Sequence, residues 1–322
     1  MTANRFENVR FLSMNGELVN FHDAKIHPLN TAMKYAASVF DAWRAYWSPK
    51  QENLFVFRLR EHLDRLVQSA SIAQLSCPYS VSDMIDQTLA LLRANELKED
   101  LHCRVILFVD EIDGGLFSVS PVSTLIAAIP MNKYFKVGVE GVHCCVSSWR
   151  RISDESSPPR VKAAANYPSS RLAGFEAIAA GYDAAIMLDR NGRVAEGSAY
   201  SVFLVRNGVV ITPPVTSSIL ESVTRDTFIK ICPEVTGLSV IQREVDRTEL
   251  YVADEAFFCG SSAEATPILS VDKRAVGSGK MGPITQKLRT AYLDLVRGQS
   301  TAHADWLLPV YSDQTAAGQG RR

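Results

Sequence analysis

Apolar residues recur along this chain with two periods, and the changes from one to the other mark out its elements. Between 59 and 70, Leu59, Leu63, Leu66, Val67 and Ala70 form one helical stripe, while Arg58, Arg60, Glu61, Asp64 and Arg65 fall off it. Ser80-Val81-Ser82-Asp83 reads as a capping box with Asp in place of the usual Glu, and Met84, Ile85, Leu89 and Leu92 continue at helical spacing. The runs 103–109 and 123–129 are short and β-branched, which predicts strands. These elements make an α+β domain over 1–130, followed by a polar, weakly patterned linker at 131–141.

A strand-like run at 143–149 opens a second domain, expected over 142–312. The segment 150–160, rich in Ser, Pro and charge, reads as a surface loop. Two hairpins stand out, 183–189 with 193–196 around Asn191-Gly192, and 202–205 with 209–212 around Asn207-Gly208. Asn-Gly is the favoured two-residue turn because both of its positions need positive φ. Helices are predicted at 168–180 closing on Gly181, at about 222–231, and at 284–296 closing on Gly298. Hairpins among β runs imply largely antiparallel sheets, so a doubly wound parallel fold is not expected. The tail 313–322 is polar and is expected to be disordered.

Composition narrows the partner. The chain has 322 residues, 47% apolar and 21% charged, with 34 basic side chains against 35 acidic ones for a formal net charge of -1. That balance lacks the basic footprint of a nucleic-acid binder or an anionic-membrane binder, which leaves a small molecule as the expected partner. The six cysteines include no CxxC pair and no zinc-type spacing with histidine, so no metal site is expected and they read as small core hydrophobes. Positions 1–19 carry no basic-then-apolar leader pattern, and no apolar run is long enough to span a membrane. The expected compartment is the reducing cytoplasm.

Gly277-Ser278-Gly279-Lys280-Met281-Gly282 satisfies GxGxxG but lies near the end of the chain and is followed by Pro283. A dinucleotide fingerprint must instead close a first βαβ unit, and a phosphate loop would need Gly at Arg274 and Ser or Thr at Met281. The segment is therefore expected to be a loop into the last helix, not the basis of a nucleotide-dependent oxidoreductase. Lys162 is different, because Val161, Ala163, Ala164 and Ala165 surround its amine with small apolar groups. An amine so placed gives up its proton more readily and becomes a nucleophile for carbonyl carbon. Glu196 after the first hairpin and Arg65 on the first helix would each, alone, read as solvated charges.

Together, several segments resemble the branched-chain aminotransferase group of the class IV pyridoxal-phosphate enzymes. They are His22-Asp23-Ala24-Lys25-Ile26-His27, the run 35–40 from Tyr35 to Phe40, the run 61–66 from Glu61 to Leu66, the spacing of Lys162 and Tyr167, Glu196-Gly197, the run 222–227, and the runs 254–260 and 259–264. They keep the family's order from about 15 to 298. The resemblance implies a two-domain fold type IV architecture of the α/β (α+β) kind, with a small N-terminal domain and a large cofactor-binding C-terminal one. It also implies a homodimer as the minimal unit, or a higher homo-oligomer.

By the same resemblance, Lys162 holds pyridoxal 5'-phosphate covalently and carries the proton between the substrate's α-carbon and the cofactor. Glu196 pairs with the pyridine nitrogen, Tyr167 bonds the phenolic oxygen, and Arg65 with the amides of Val223 and Thr224 holds the phosphate. The turn Ser261-Ser262-Ala263 faces the substrate carboxylate, and Ser261 also reaches the phosphate. Tyr35, Phe40, Met131 and Tyr134 match the side-chain pocket, and Gly114 and Leu116 match a loop given by the partner subunit. Arg104 matches the arginine that takes the distal carboxylate of glutamate, and its apolar strand neighbours suggest a buried guanidinium that needs an anion.

The departures are local. His102 replaces the family's usual Tyr, Tyr200-Ser201 replaces Glu-Asn, and Glu221-Ser222 replaces Pro-Gly. The expected reaction is a ping-pong transamination between a branched-chain or other aliphatic L-amino acid and 2-oxoglutarate. The alternatives within the fold are an (R)-amine or D-amino-acid transaminase, or a lyase of the amino-deoxychorismate type. A non-catalytic binding protein descended from the enzyme is the remaining rival.

Overall fold

The computed structural model describes residues 6–131 and 140–311. Most of the expected linker, the residue Tyr134 and the tail 313–322 lie outside the described residues.

Two sheets dominate. The first has seven strands in the order Leu307–Pro309, Asn53–Phe57, Ser38–Ser48, Leu101–Val109, Val122–Pro130, Phe11–Met14 and Glu17–Asn20, and every pairing in it is antiparallel. Its core face, with Val39, Trp43, Cys103, Val105 and Leu107, is covered by the helices Leu59–Ile72 and Val81–Asn95. The latter carries the expected capping box, with Ser80 and Asp83 each accepting from the other's backbone.

The second sheet runs Val240–Gln242, Val209–Thr212, Ser201–Arg206, Glu255–Gly260, Glu264–Val271, Val142–Arg150, Ala184–Leu188 and Val194–Gly197, with Arg274–Ala275 beside Glu264–Val271. Three of its pairings are parallel, so this sheet is mixed while the molecule as a whole keeps its largely antiparallel character. The helices Val223–Thr236 and Pro283–Val296 cover one face. Phe203, Phe228, Phe257 and Tyr292 pack there, and Tyr46 and Phe57 of the first sheet join the same cluster. The two sheets thus share a core, and the last strand of the segment expected to form the second domain returns to the first sheet.

The turns differ from expectation in an instructive way. Asn207 and Gly208 have φ of 50° and 74°, as a two-residue primed turn requires. At Asn191-Gly192 only Gly192 has positive φ, at 80°, because Asp189 caps the turn by accepting from the amides of Asn191 and Arg193. A third Asn-Gly pair, Asn15-Gly16, has φ of 51° and 84° and closes the hairpin at the edge of the first sheet. The helix expected at 222–231 runs on through Pro233 to a left-handed cap at Gly237, whose amide bonds the Pro233 carbonyl. Residues 277–282 form the loop before the last helix, as expected.

Candidate active site

A cavity of about 500 Å³ opens between the two sheets. Phe40, Ala42, His102 and Arg104 reach it from the first sheet, His62 and Arg65 from the helix beneath, and Glu196, Ser198, Ser201, Ser261 and Ser262 from the second sheet. Lys162 and Tyr167 enter from the connection between them.

Lys162 follows a loop with no regular structure, so its position has to be fixed by side chains. The Asn166 amide donates to the carbonyls of Pro158 (3.0 Å) and Val161 (2.8 Å), and the Lys162 amide donates to Ser69 Oγ at 3.1 Å. The Lys162 carbonyl accepts from the Phe40 amide at 2.9 Å, which ties the segment to the first sheet. Lys162 Nζ then lies 2.7 Å from Tyr167 Oη and 4.9 Å from the Phe40 ring centroid. An amine held between two rings, with a phenol in hydrogen-bond reach, is placed to attack a carbonyl and to pass a proton.

Glu196 is buried, in contrast to its solvated look in the sequence. Arg151 Nη2 donates to its Oε1 at 2.8 Å, and the Leu220 amide approaches Oε2 at 3.3 Å. Burial pushes the Glu196 carboxyl above its ordinary value, and Arg151 pulls against that. Nothing in the local sequence marked Arg151. It sits in the Ser- and Pro-rich loop, 45 residues from its partner, and its own packing comes from Ser170 Oγ at 2.9 Å.

Arg65 is also buried, because the carboxylate of Asp41 waits on the adjacent strand. Its Nη1 donates to the Glu221 carbonyl at 2.9 Å, just ahead of the helix Val223–Thr236. Ser222 caps that helix by accepting from the Arg225 amide, and among the described residues the amides of Val223 and Thr224 have no acceptor. A guanidinium beside a helix N-terminus of free amides suits a phosphate.

Further polar groups ask for a ligand. The hydroxyls of Ser198 and Ser201 line the cavity, are buried, and lack a hydrogen-bond partner among the described residues. Arg151, Arg171 and Lys162 join Arg65 and Arg104 around the cavity against the single carboxylate of Glu196, so an anion is favoured. Tyr200, one of the departures, packs on Phe258 at 4.6 Å and fills the space over Gly197, where a Cβ would stand 2.3 Å from its ring.

Other expected site residues lie elsewhere. Tyr35 is 47% exposed at the end of the helix Thr31–Tyr35, away from the cavity. Met131 does not line it either, and its carbonyl accepts from Arg44. Val223, Thr224 and Ala263 are buried beside the cavity without lining it. Arg104 lines it but is exposed, not buried, with its guanidinium 5.1 Å from the Phe40 centroid. The period of two explains this: Cys103, Val105 and Leu107 turn to the core while His102 and Arg104 turn to the cavity. Among the described residues no group of His, Cys, Asp and Glu could hold a metal.

The fold and this pocket define an enzyme that works with pyridoxal 5'-phosphate. The profile of the family Amino-transferase class IV matches residues 38–271, and the chain belongs to that family: it is a class IV aminotransferase. The branched-chain-amino-acid aminotransferase of Salmonella typhimurium is 38% identical over 316 residues, covering 97% of this chain and 100% of the relative. The crystal structure of the branched-chain aminotransferase of Thermoproteus uzoniensis with norvaline has a TM-score of 0.89 at 42% identity, covering 94% of this chain and 99% of that one. The holo PLP-form from Thermobaculum terrenum has a TM-score of 0.89 at 38% identity, covering 95% and 100%.

Proposed function

We propose that this aminotransferase moves an amino group between a branched-chain or other aliphatic L-amino acid and 2-oxoglutarate, in two half-reactions of a ping-pong cycle. The observation that carries the reading is the pairing of Arg104 with the Phe40 ring at one wall of the cavity, near Lys162. A ring offers an aliphatic side chain a dry surface, and a guanidinium offers a distal carboxylate a partner, so one pocket serves both substrates. The names of the relatives support the donor class.

Pyridoxal phosphate, when bound, supplies the aldehyde that takes up the amino group and a ring that stores the electron pair. Lys162 holds it and, once free, moves the proton at the substrate's α-carbon. Glu196 accepts the pyridine N–H and keeps that nitrogen charged. Tyr167 donates to the phenolic oxygen, while Arg65 with the amides of Val223 and Thr224 takes the phosphate. The turn at Ser261, Ser262 and Ala263 receives the α-carboxylate through its amides, with His102 and Arg104 on the opposite wall.

The working unit is a homodimer in this reading. Ile112, Leu116 and Phe117 are exposed at 60%, 60% and 90%, and Met33 and Tyr35 lie on a helix fastened to their loop. The Thr31 amide donates to the Glu111 carbonyl, the Asp113 amide to the Leu29 carbonyl, and Lys34 pairs with Asp113. Tyr35 therefore travels with Gly114 and Leu116 and serves the partner's pocket. The six free cysteines fit a reducing cytoplasm.

Borohydride reduction followed by peptide mapping tests the centre: the pyridoxyl group should be found on Lys162, and label on another lysine would overturn this set of roles. A panel of amine donors with pyruvate and 2-oxoglutarate as acceptors tests the substrates, and leucine or valine with 2-oxoglutarate should lead it.

A further inference from the structure

Asp41 occupies the core face of the strand Ser38–Ser48, fully buried between Val39 and Trp43. Its carboxylate is saturated with donors. Arg65 Nε reaches Oδ2 at 2.8 Å and Arg65 Nη2 reaches Oδ1 at 2.8 Å, a two-pronged pair, and His62 Nδ1 meets Oδ1 at 2.7 Å. The Ala42 amide adds a fourth contact at 2.7 Å. The His62 ring leans on Trp43 with centroids 6.2 Å apart, so the imidazole is itself held.

Arginine has five N–H donors in a rigid fork. Three are used inside the protein, two on Asp41 and one on the Glu221 carbonyl; Nη2 also lies 3.4 Å from His62 Nδ1, but that nitrogen donates to Asp41 and takes no proton from Arg65, so two remain, and Arg65 lines the cavity. A long side chain left free would have to give up its rotamer freedom on meeting a ligand, whereas one already fixed does not. Asp41 touches nothing in the cavity and is not among its lining residues.

We propose that Asp41, braced by His62, is a positioning residue that aims the two unused N–H groups of Arg65 at the cofactor's phosphate. This rests on the reading of Arg65 as the phosphate ligand. The sign of the effect separates it from a mere field effect. A carboxylate behind Arg65 dilutes the positive potential of the site, so by charge alone its removal would tighten phosphate binding; by positioning, removal loosens it.

The test compares pyridoxal 5'-phosphate with pyridoxal, which lacks the phosphate, in absorbance titrations of the full chain freed of cofactor. Asp41→Asn should weaken pyridoxal phosphate roughly tenfold, the loss expected when a fixed side chain is set free, and leave pyridoxal within about twofold. Inorganic phosphate should compete less well for the variant in the same proportion. If Asp41→Asn does not fold, Asp41→Glu keeps the charge but shifts it by one methylene and should show the same selective loss. Equal loss for both ligands, no change, or tighter phosphate binding overturns the proposal. Arg65→Gln tells the two readings apart: should it fail to discriminate the ligands, Arg65 is not the phosphate ligand, whereas discrimination by Arg65→Gln without Asp41→Asn sinks only the role of Asp41.

Discussion

Replacing Arg151 with Met removes a guanidinium that is 6% exposed from a carboxylate that is 7% exposed, at a contact of 2.8 Å. At an effective dielectric of about 20, two charges about 4 Å apart interact by about 4 kcal/mol, and breaking a buried pair by removing one partner costs roughly 3–5 kcal/mol. The entropy of unfolding scales with length, so for a chain of 322 residues each kcal/mol moves Tm by about 1.5 °C. The cofactor-free variant should therefore melt roughly 4–8 °C lower at pH 8. The loss should depend on pH with a defined sign. Burial has already raised the Glu196 carboxyl above its unfolded value, and losing Arg151 raises it further. Below the unfolded value the carboxyl is protonated in both states and the lost ion pair costs nothing. The deficit opens as pH climbs through the folded value of the wild type and is complete above the higher folded value of the variant, because the unfolded value is common to both proteins and cancels. What remains at low pH is the loss of Arg151's bonds to Ser170 Oγ and the Ser218 carbonyl, on the order of 1 kcal/mol each. Thermal scans of the wild type and Arg151→Met from pH 4 to 8, repeated in a Glu196→Gln background, measure this directly. A deficit of equal size at both ends of the range, or one that Glu196→Gln does not shrink, would refute the pairing as the source.

Glu196→Gln should still take up the cofactor yet slow proton transfer by about a hundredfold or more, because an amide cannot hold a charged pyridine nitrogen; single-turnover kinetics at saturating cofactor check it. Arg104→Ala should weaken use of 2-oxoglutarate about fivefold, or about 1 kcal/mol, and spare leucine. That is a smaller effect than a buried arginine would give, because Arg104 is exposed and screened. Stopped-flow cofactor absorbance on each half-reaction decides it, and equal losses in both would exclude a selective role.

Local pattern carried the elements and a good part of the site. The capping box at Ser80, the primed turn at Asn207-Gly208 and the small residues about Lys162 each depend on neighbours within a few positions. The charged interior does not. Arg65 falls off the apolar stripe of its helix and looks solvated, yet Asp41, 24 residues earlier, makes its burial possible. Arg58 is hidden the same way, by bonds to the Val223 carbonyl and Thr227 Oγ1 over 160 residues away. Arg104 shows the reverse error: apolar sequence neighbours suggested burial, but in a strand they face the other side. Side-chain partners across a sheet or a domain junction leave no periodicity to read.

The short strand Leu307–Pro309 lies against Asn53–Phe57, the Arg58 amide donates to the Trp306 carbonyl at 2.7 Å, and Arg93 Nε donates to the Val310 carbonyl at 2.7 Å. During synthesis, then, the first sheet stands ready long before its outermost strand leaves the ribosome. Until then Asn53–Phe57 is an open edge of apolar residues, the kind of edge that pairs with other chains. Its closure comes only after the whole second sheet has emerged, so the last strand acts as a clasp on a nascent chain, arriving once every residue that lines the cavity has been made.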